Sequence, residues 1–146
     1  MAAVFYELDV KAGLKNKRKL SAFLNNMVTK YRPDVKKVQL SYIFCTDKYL
    51  LQINKQFLDH DTYTDIITFD LSESSGPVLI GEIYVSIERV KENAIKYDVQ
   101  FADELHRVIF HGALHLCGFK DKKNTDKKIM RAREEDCLTL YKKDTI

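Results

Sequence analysis

The sequence predicts an α/β (α+β) fold: a single domain over residues 1–146, with a four-stranded mixed sheet packed by about five helices. Three observations carry that prediction. Short β-prone runs alternate with longer stretches whose apolar residues recur at i, i+3, i+4 and i+7. The third and fourth short runs are joined only by SESSGP (72–77), a connection that suits an antiparallel pair and not a crossover. The chain has 146 residues, 45% of them hydrophobic and 31% charged, which suits one solvated domain with its own core.

The elements follow in order. VFYELDV (4–10) is apolar and β-prone, a first strand. From Lys15 to Tyr31 a helix is expected, with Leu20, Phe23, Leu24, Met27, Val28 and Tyr31 in one stripe. Arg32-Pro33-Asp34 ends it, because proline disfavours helical geometry in the residue before it. VQLSYIF (38–44) alternates Val38, Leu40, Tyr42 and Phe44 on one face of a second strand. Thr46 or Asp47 caps a helix running to Phe57, with Leu50, Ile53, Asn54 and Phe57 inward. LDHDTY (58–63) is a polar connection to the third strand, DIITFDL (65–71). VLIGEIYVS (78–86) is the fourth strand. Ser86 then caps a helix whose inward face is Ile87, Val90, Ala94 and Tyr97. Another helix runs from Phe101 to Cys117 and stops at Gly118; the last starts near Asn124 or Thr125 and carries Ile129, Met130, Cys137, Leu138 and Tyr141.

Composition narrows the function classes. The N-terminus lacks the basic and apolar regions of a secretory leader, and no apolar run approaches the roughly 20 residues that span a bilayer. Cys45, Cys117 and Cys137 are unpatterned and form no CxxC pair, so they are expected as reduced thiols in a cytoplasmic protein, with Cys117 a buried packing residue. The net charge of +3 is unevenly placed: +6 over residues 1–60 and −3 over the remainder. The excess centres on Lys11, Lys15, Lys17, Arg18 and Lys19, a cluster that can meet a polyanion or be a solvated helix start.

The chemistry concentrates in HGALHLCGFKD (111–121). On a helix, residues four apart project side by side, so His111 and His115 can reach one ion at about 2.0–2.1 Å each. Gly118 can adopt a left-handed conformation and turn the chain back, bringing Asp121 towards the same ion. Three protein ligands with one open position is the plan of a catalytic metal. The glutamate that follows the first histidine in HExxH metalloproteases is replaced by Gly112, which disfavours that class. Glu104 lies seven residues before His111, about 10.5 Å along a helix axis, too far to share the ion; a solvated or salt-bridged surface role is the preferred expectation. Such an ion can polarise a phosphoryl oxygen or acidify a water, and an anionic third ligand lowers its effective charge.

TDIITFD (64–70), GEIYVSIERV (81–90), ELHRVIFHGALHLCGF (104–119) and MRAREED (130–136) resemble the bacterial YbeY family of metal-dependent endoribonucleases in order and spacing. The resemblance covers most of the chain from about Ile53 onward; HGALHLCGF is its most specific part. It implies a zinc-type ion, an RNA substrate, and work in ribosomal-RNA maturation and ribosome quality control, with the small ribosomal subunit or a ribosome-associated protein as partner and no membrane. It also implies three histidine ligands, two at His111 and His115. The third position is Asp121 here, preceded by Lys120 where the family usually has aspartate, so the ligand is exchanged; His60 is the weaker alternative, and His106 points elsewhere on its helix. The family's arginine six residues before its threonine falls on Leu58, which cannot clamp phosphate; Lys55, Arg107 or Lys120 are the candidate replacements. RNA contacts are expected from Lys15, Lys17, Arg18 and Lys19 and from Lys120, Lys122 and Lys123 beside the ion, while Thr64 and Asp65 sit at the mouth of the third strand. The leading expectation is an endoribonuclease acting through His111, His115 and Asp121. The alternative is a ribosome-associated assembly or adaptor factor with a mainly structural metal.

Overall fold

The structure, a computed structural model, describes residues 1–58, 64–73 and 76–143. The order is β1 (Ala3–Glu7), α1 (Lys17–Tyr31), β2 (Lys37–Cys45), α2 (Asp47–Leu58), β3 (Ile66–Asp70), β4 (Val78–Ser86), α3 (Ile87–Lys96), α4 (Phe101–Leu116) and α5 (Asn124–Lys143). The four strands form one mixed sheet in the order β1-β2-β4-β3, with β1, β2 and β4 parallel and β3 antiparallel to β4.

Local chemistry sets the element ends. The first strand is shorter than 4–10 because Asp9 takes a positive φ of 58° and the Glu7 carboxylate accepts the Ala12 N–H at 2.6 Å, turning the chain. Helix α1 begins at Lys17 and not Lys15 because Asn16 is left-handed. Thr46 Oγ1 accepts from the Tyr49 N–H at 3.1 Å, and Ser86 Oγ from the Arg89 N–H at 3.2 Å, as expected of helix caps. Cys117 is the C-cap of α4 and half-buried against the core, and Gly118 follows with φ 100°.

Alternation in the strands divides the sheet into two faces. Val38, Leu40, Tyr42 and Phe44 of β2 lie beside Leu79, Gly81, Ile83 and Val85 of β4, and all are buried. This face is covered by α1 and α4, and α5 packs on both of them. Tyr42 is fully buried, and its hydroxyl donates to the Ile109 carbonyl of α4 at 2.7 Å. On the other face α2 places Leu50 and Ile53 against Cys45 and Ile67.

Two expected inward residues lie outward. Phe57 is 62% exposed at the end of α2 and touches Phe69 only edge-on. Tyr97 is 53% exposed: α3 ends at Lys96, and Tyr97, with φ −97° and ψ 3°, has already left the helical phase. Ile129, on α5, is also half-exposed. Residues 59–63, and with them His60, lie outside the described residues.

Two glycines let α4 approach the sheet closely. A Cβ on Gly112 would lie 2.9 Å from Ile83 Cγ2 and 3.1 Å from Ile66 Cδ1, and one on Gly81 would overlap Leu116 Cδ1. Close packing of α4 fixes which side of the helix remains free: the side bearing His111 and His115, which opens into a cleft between α4, α5 and β3.

Candidate metal centre

The cleft has a volume of about 1010 Å³. His111 and His115, one turn apart on α4, present their rings at 4.5 Å between centroids. The left-handed Gly118 bends the chain after α4, and Asp121 comes back beneath both imidazoles. Asp121 Oδ2 lies 3.2 Å from His111 Nε2 and 3.2 Å from His115 Nε2. The three side chains are 18%, 29% and 38% exposed, so the set faces the cleft without leaving the surface. Among the described residues, this is the cluster of histidine, cysteine and carboxylate side chains able to hold a metal ion.

The donor set can be tested against an ion. Ligand atoms bound at about 2.0–2.1 Å around a tetrahedral cation stand about 3.3–3.4 Å apart, close to the 3.2 Å from each nitrogen to the carboxylate oxygen. A carboxylate oxygen facing two imidazole nitrogens is satisfied by a proton on each or by one cation shared among all three. The residues therefore fit a zinc-type ion.

Behind His111 stands a group to which sequence reasoning gave no role. Glu134 of α5, with its side chain 8% exposed, places Oε2 2.6 Å from His111 Nδ1. Its other oxygen, Oε1, accepts from Arg107 Nη1 at 3.2 Å. Arg107 also pairs with Glu135, and lies 3.7 Å from Glu104. Burial works against a charged His111, but the hydrogen bond and charge of Glu134, with Asp121 and Asp65, outweigh it and leave its pKa raised.

Glu104 departs from the surface role expected of it. Its side chain is 7% exposed, in the wall of the cleft, and burial raises its carboxyl pKa against the pull of Arg107. Asp65 also lines the cleft, and burial raises its carboxyl pKa against the opposing pull of His111.

The basic residues are distributed unevenly about the cleft. Arg107 lines it but faces three carboxylates. Lys122 lines it from the loop after α4, and α5 adds Lys127 and Arg131, which sequence reasoning did not select. Their signal was the helical spacing of Lys127, Arg131 and Glu134, which puts all three on one side of α5. Lys120 is exposed nearby in sequence, and Lys55 is exposed on α2 between Asn54 and Leu58, both of which line the cleft. Leu58 thus brings an apolar side chain to the rim. Lys17, Arg18 and Lys19 open α1 and Lys15 precedes it; none of the four lines the cleft. Arg18 lines a different groove with Lys36 and Lys37, and Lys19 Nζ lies 4.4 Å from the Tyr141 ring centre. His106 packs between Phe110 and Tyr141, away from the ligand set.

The family model described as Endoribonuclease YbeY matches residues 7–142. The chain belongs to the YbeY family. Endoribonuclease YbeY of Cytophaga hutchinsonii is 47% identical over 138 residues, covering 94% of this chain and 94% of that protein. Endoribonuclease YbeY of Flavobacterium psychrophilum is 52% identical over 103 residues, covering 70% of this chain and 72% of that protein. A solution structure from Thermotoga maritima superposes with a TM-score of 0.60 at 26% identity, covering 95% of this chain and 88% of that one. The span matched by the family model, residues 7–142, runs across the strand that lines the cleft, α4, the bend after it and most of α5. No described helix is long and apolar enough to cross a membrane.

Proposed function

We propose that the protein, acting as one domain over residues 1–146, is a metal-dependent endoribonuclease that hydrolyses phosphodiesters of single-stranded RNA. The observation that carries this reading is the convergence of His111 Nε2, His115 Nε2 and Asp121 Oδ2 at one point on the floor of a cleft bordered by Lys122, Lys127 and Arg131. The names of the relatives, endoribonucleases, support the same reaction. They do not favour the adaptor alternative.

Each residue has a task in this reading. His111, His115 and Asp121 hold the cation, with zinc best suited to a mixed N/O set of three protein ligands. When bound, the ion supplies Lewis-acid polarisation of the scissile phosphodiester. Lys122, Lys127 and Arg131 hold backbone phosphates across the opening, a contact that positions RNA without reading its sequence. Asp65 walls the cleft on the β3 side, where a carboxylate excludes phosphate from all but the basic side. Position 112 faces Ile83 and Ile66 of the sheet, so no side chain there can act as a base towards the cleft.

The same reading assigns the protein to ribosomal-RNA precursors in the cytoplasm, in contact with the small ribosomal subunit or a protein bound to it. Lys15, Lys17, Arg18 and Lys19 then serve as a second contact with RNA outside the cleft. Elemental analysis of wild type, His111→Ala and Asp121→Ala, each paired with a cleavage assay on single-stranded RNA, tests the core of the reading. Near-stoichiometric zinc and cleavage in the wild type, both lost in His111→Ala, are expected. Retained RNA cleavage in a His111→Ala protein that no longer binds metal refutes it.

A further inference from the structure

We infer that Glu134 is a positioning residue that sets the tautomer of His111 and so makes its Nε2 a ligand. This deepens the proposed function and rests on its metal site. Neutral imidazole carries one ring proton, and two carboxylates compete for it: Glu134 Oε2, 2.6 Å from Nδ1, and Asp121 Oδ2, 3.2 Å from Nε2. The shorter contact takes the proton. With Nδ1–H donating to Glu134, Nε2 offers a bare lone pair to the point where His115 Nε2 and Asp121 Oδ2 also converge. Without Glu134 the proton moves to Nε2, donates to Asp121, and obstructs the position where a cation binds.

The carboxylate is held for this work. Its side chain is 8% exposed and cannot swing towards solvent without breaking the 3.2 Å bond from Arg107. Arg107 is itself fixed by Glu135, and lies beside Glu104. Arg107 and His111 are one turn apart on α4, so Glu134 bridges two successive turns of that helix from α5. Arg107 offsets part of the Glu134 charge, and Arg131 Nη1 lies 4.0 Å from the same oxygen, Oε1. Glu134 is not a fourth ligand, because it binds the ring nitrogen that faces away from the set. Among the described residues, His115 has no carboxylate behind it, so His111 is the tuned member of the pair. Carboxylate–histidine–metal arrangements of this kind recur in metalloproteins, and loss of the outer carboxylate lowers metal affinity about 10–100-fold.

The test compares wild type, Glu134→Ala and Glu134→Gln. Zinc affinity is read by competition with a chromophoric chelator, folding by circular dichroism, and the His111 tautomer by long-range proton–nitrogen NMR of the metal-free protein at one alkaline pH. Glu134→Ala should bind zinc about 10–100-fold more weakly and shift His111 to the Nε2–H tautomer. Glu134→Gln, whose amide oxygen can still accept from Nδ1–H, should retain most of the Nδ1–H tautomer and lose less affinity than Glu134→Ala. Folded Glu134→Ala protein with zinc affinity within threefold of wild type overturns the inference, as does weakened affinity with an unchanged tautomer. If Glu134→Ala does not fold, Glu134→Leu, which fills the buried space but offers Nδ1–H no acceptor, decides: about 10–100-fold weaker zinc binding with the Nε2–H tautomer supports the inference, and affinity within threefold of wild type overturns it. A wild-type protein that binds no zinc removes the metal site itself, a failure distinct from a wild type that binds while both variants match it.

Discussion

Replacing Gly112 by alanine should destabilise the protein even though alanine is the better helix former. In an exposed helix the exchange would contribute up to about 1 kcal/mol of stability. Here the new Cβ would lie 2.9 Å from Ile83 Cγ2 and 3.1 Å from Ile66 Cδ1, where carbon atoms rest at about 3.5–4.0 Å. Ile83 is fully buried and its Cγ2 branches at Cβ, so it cannot rotate aside as a flexible chain end would. Overpacking of this kind costs about 1–3 kcal/mol, which leaves a net loss of about 1 kcal/mol. With an unfolding entropy of about 2.1 cal/mol/K per residue, that loss is about 3 °C in Tm for a chain of this length. Thermal and urea unfolding with excess chelator reads it without a contribution from metal binding. The clash also predicts coupling: truncating Ile83 to alanine should cost less beside Ala at position 112 than beside Gly. A more stable Gly112→Ala protein, or strictly additive energies in the cycle, would refute the close approach of α4 to the sheet.

Three further outcomes follow from groups away from the ligand set and from the cleft rim. Burial lowers the His106 pKa below the ordinary 6.5, so the unfolded chain takes up the proton first as pH falls. The stability His106 contributes is present above pH 6.5 and is lost as pH falls through its lower folded value; His106→Phe should flatten that part of a urea-stability profile between pH 8 and 5, and an unchanged profile would contradict it. Tyr42→Phe removes the buried 2.7 Å bond to the Ile109 carbonyl and should cost about 1 kcal/mol in urea unfolding, with equal stability counting against that bond. Charge reversal at Lys122, Lys127 or Arg131 should weaken RNA binding uniformly across sequences and make it less salt-dependent; an altered sequence preference with the same salt dependence would assign these residues to base reading instead.

Where neighbours in sequence are neighbours in space, the chain could be read directly. The caps at Thr46 and Ser86 and the meeting of His111, His115 and Asp121 depend on contacts within one or two helical turns, and the antiparallel β3–β4 pair on the short connection between its strands. The match to the YbeY family spans residues 7–142, which include these segments. Contacts that depend on docking between helices were not legible. Glu134 meets His111 across 23 positions, and helical periodicity places it on a face of α5 without saying which helix that face meets. Glu104 was read as a solvated or salt-bridged surface group; its i,i+3 partner Arg107 lies on the same helix, but the burial of Glu104 depends on how α4 docks against its neighbours, which periodicity along α4 does not show. Tyr97 was misplaced by a phase change at the end of α3, and Phe57 by its position at the last turn of α2, beyond the buried Leu50 and Ile53.

All three metal-capable side chains fall within residues 111–121, on one helical turn and the bend after it. Bringing them together closes only a very short loop, and loop closure of that size costs little chain entropy. The donor cluster is consequently a local assembly, supported by the sheet but not stitched together from distant strands. Changes in the N-terminal strand and first helix can reach it only through packing, which leaves that third of the molecule freer to diverge than α4 and the bend that carry the three candidate ligands.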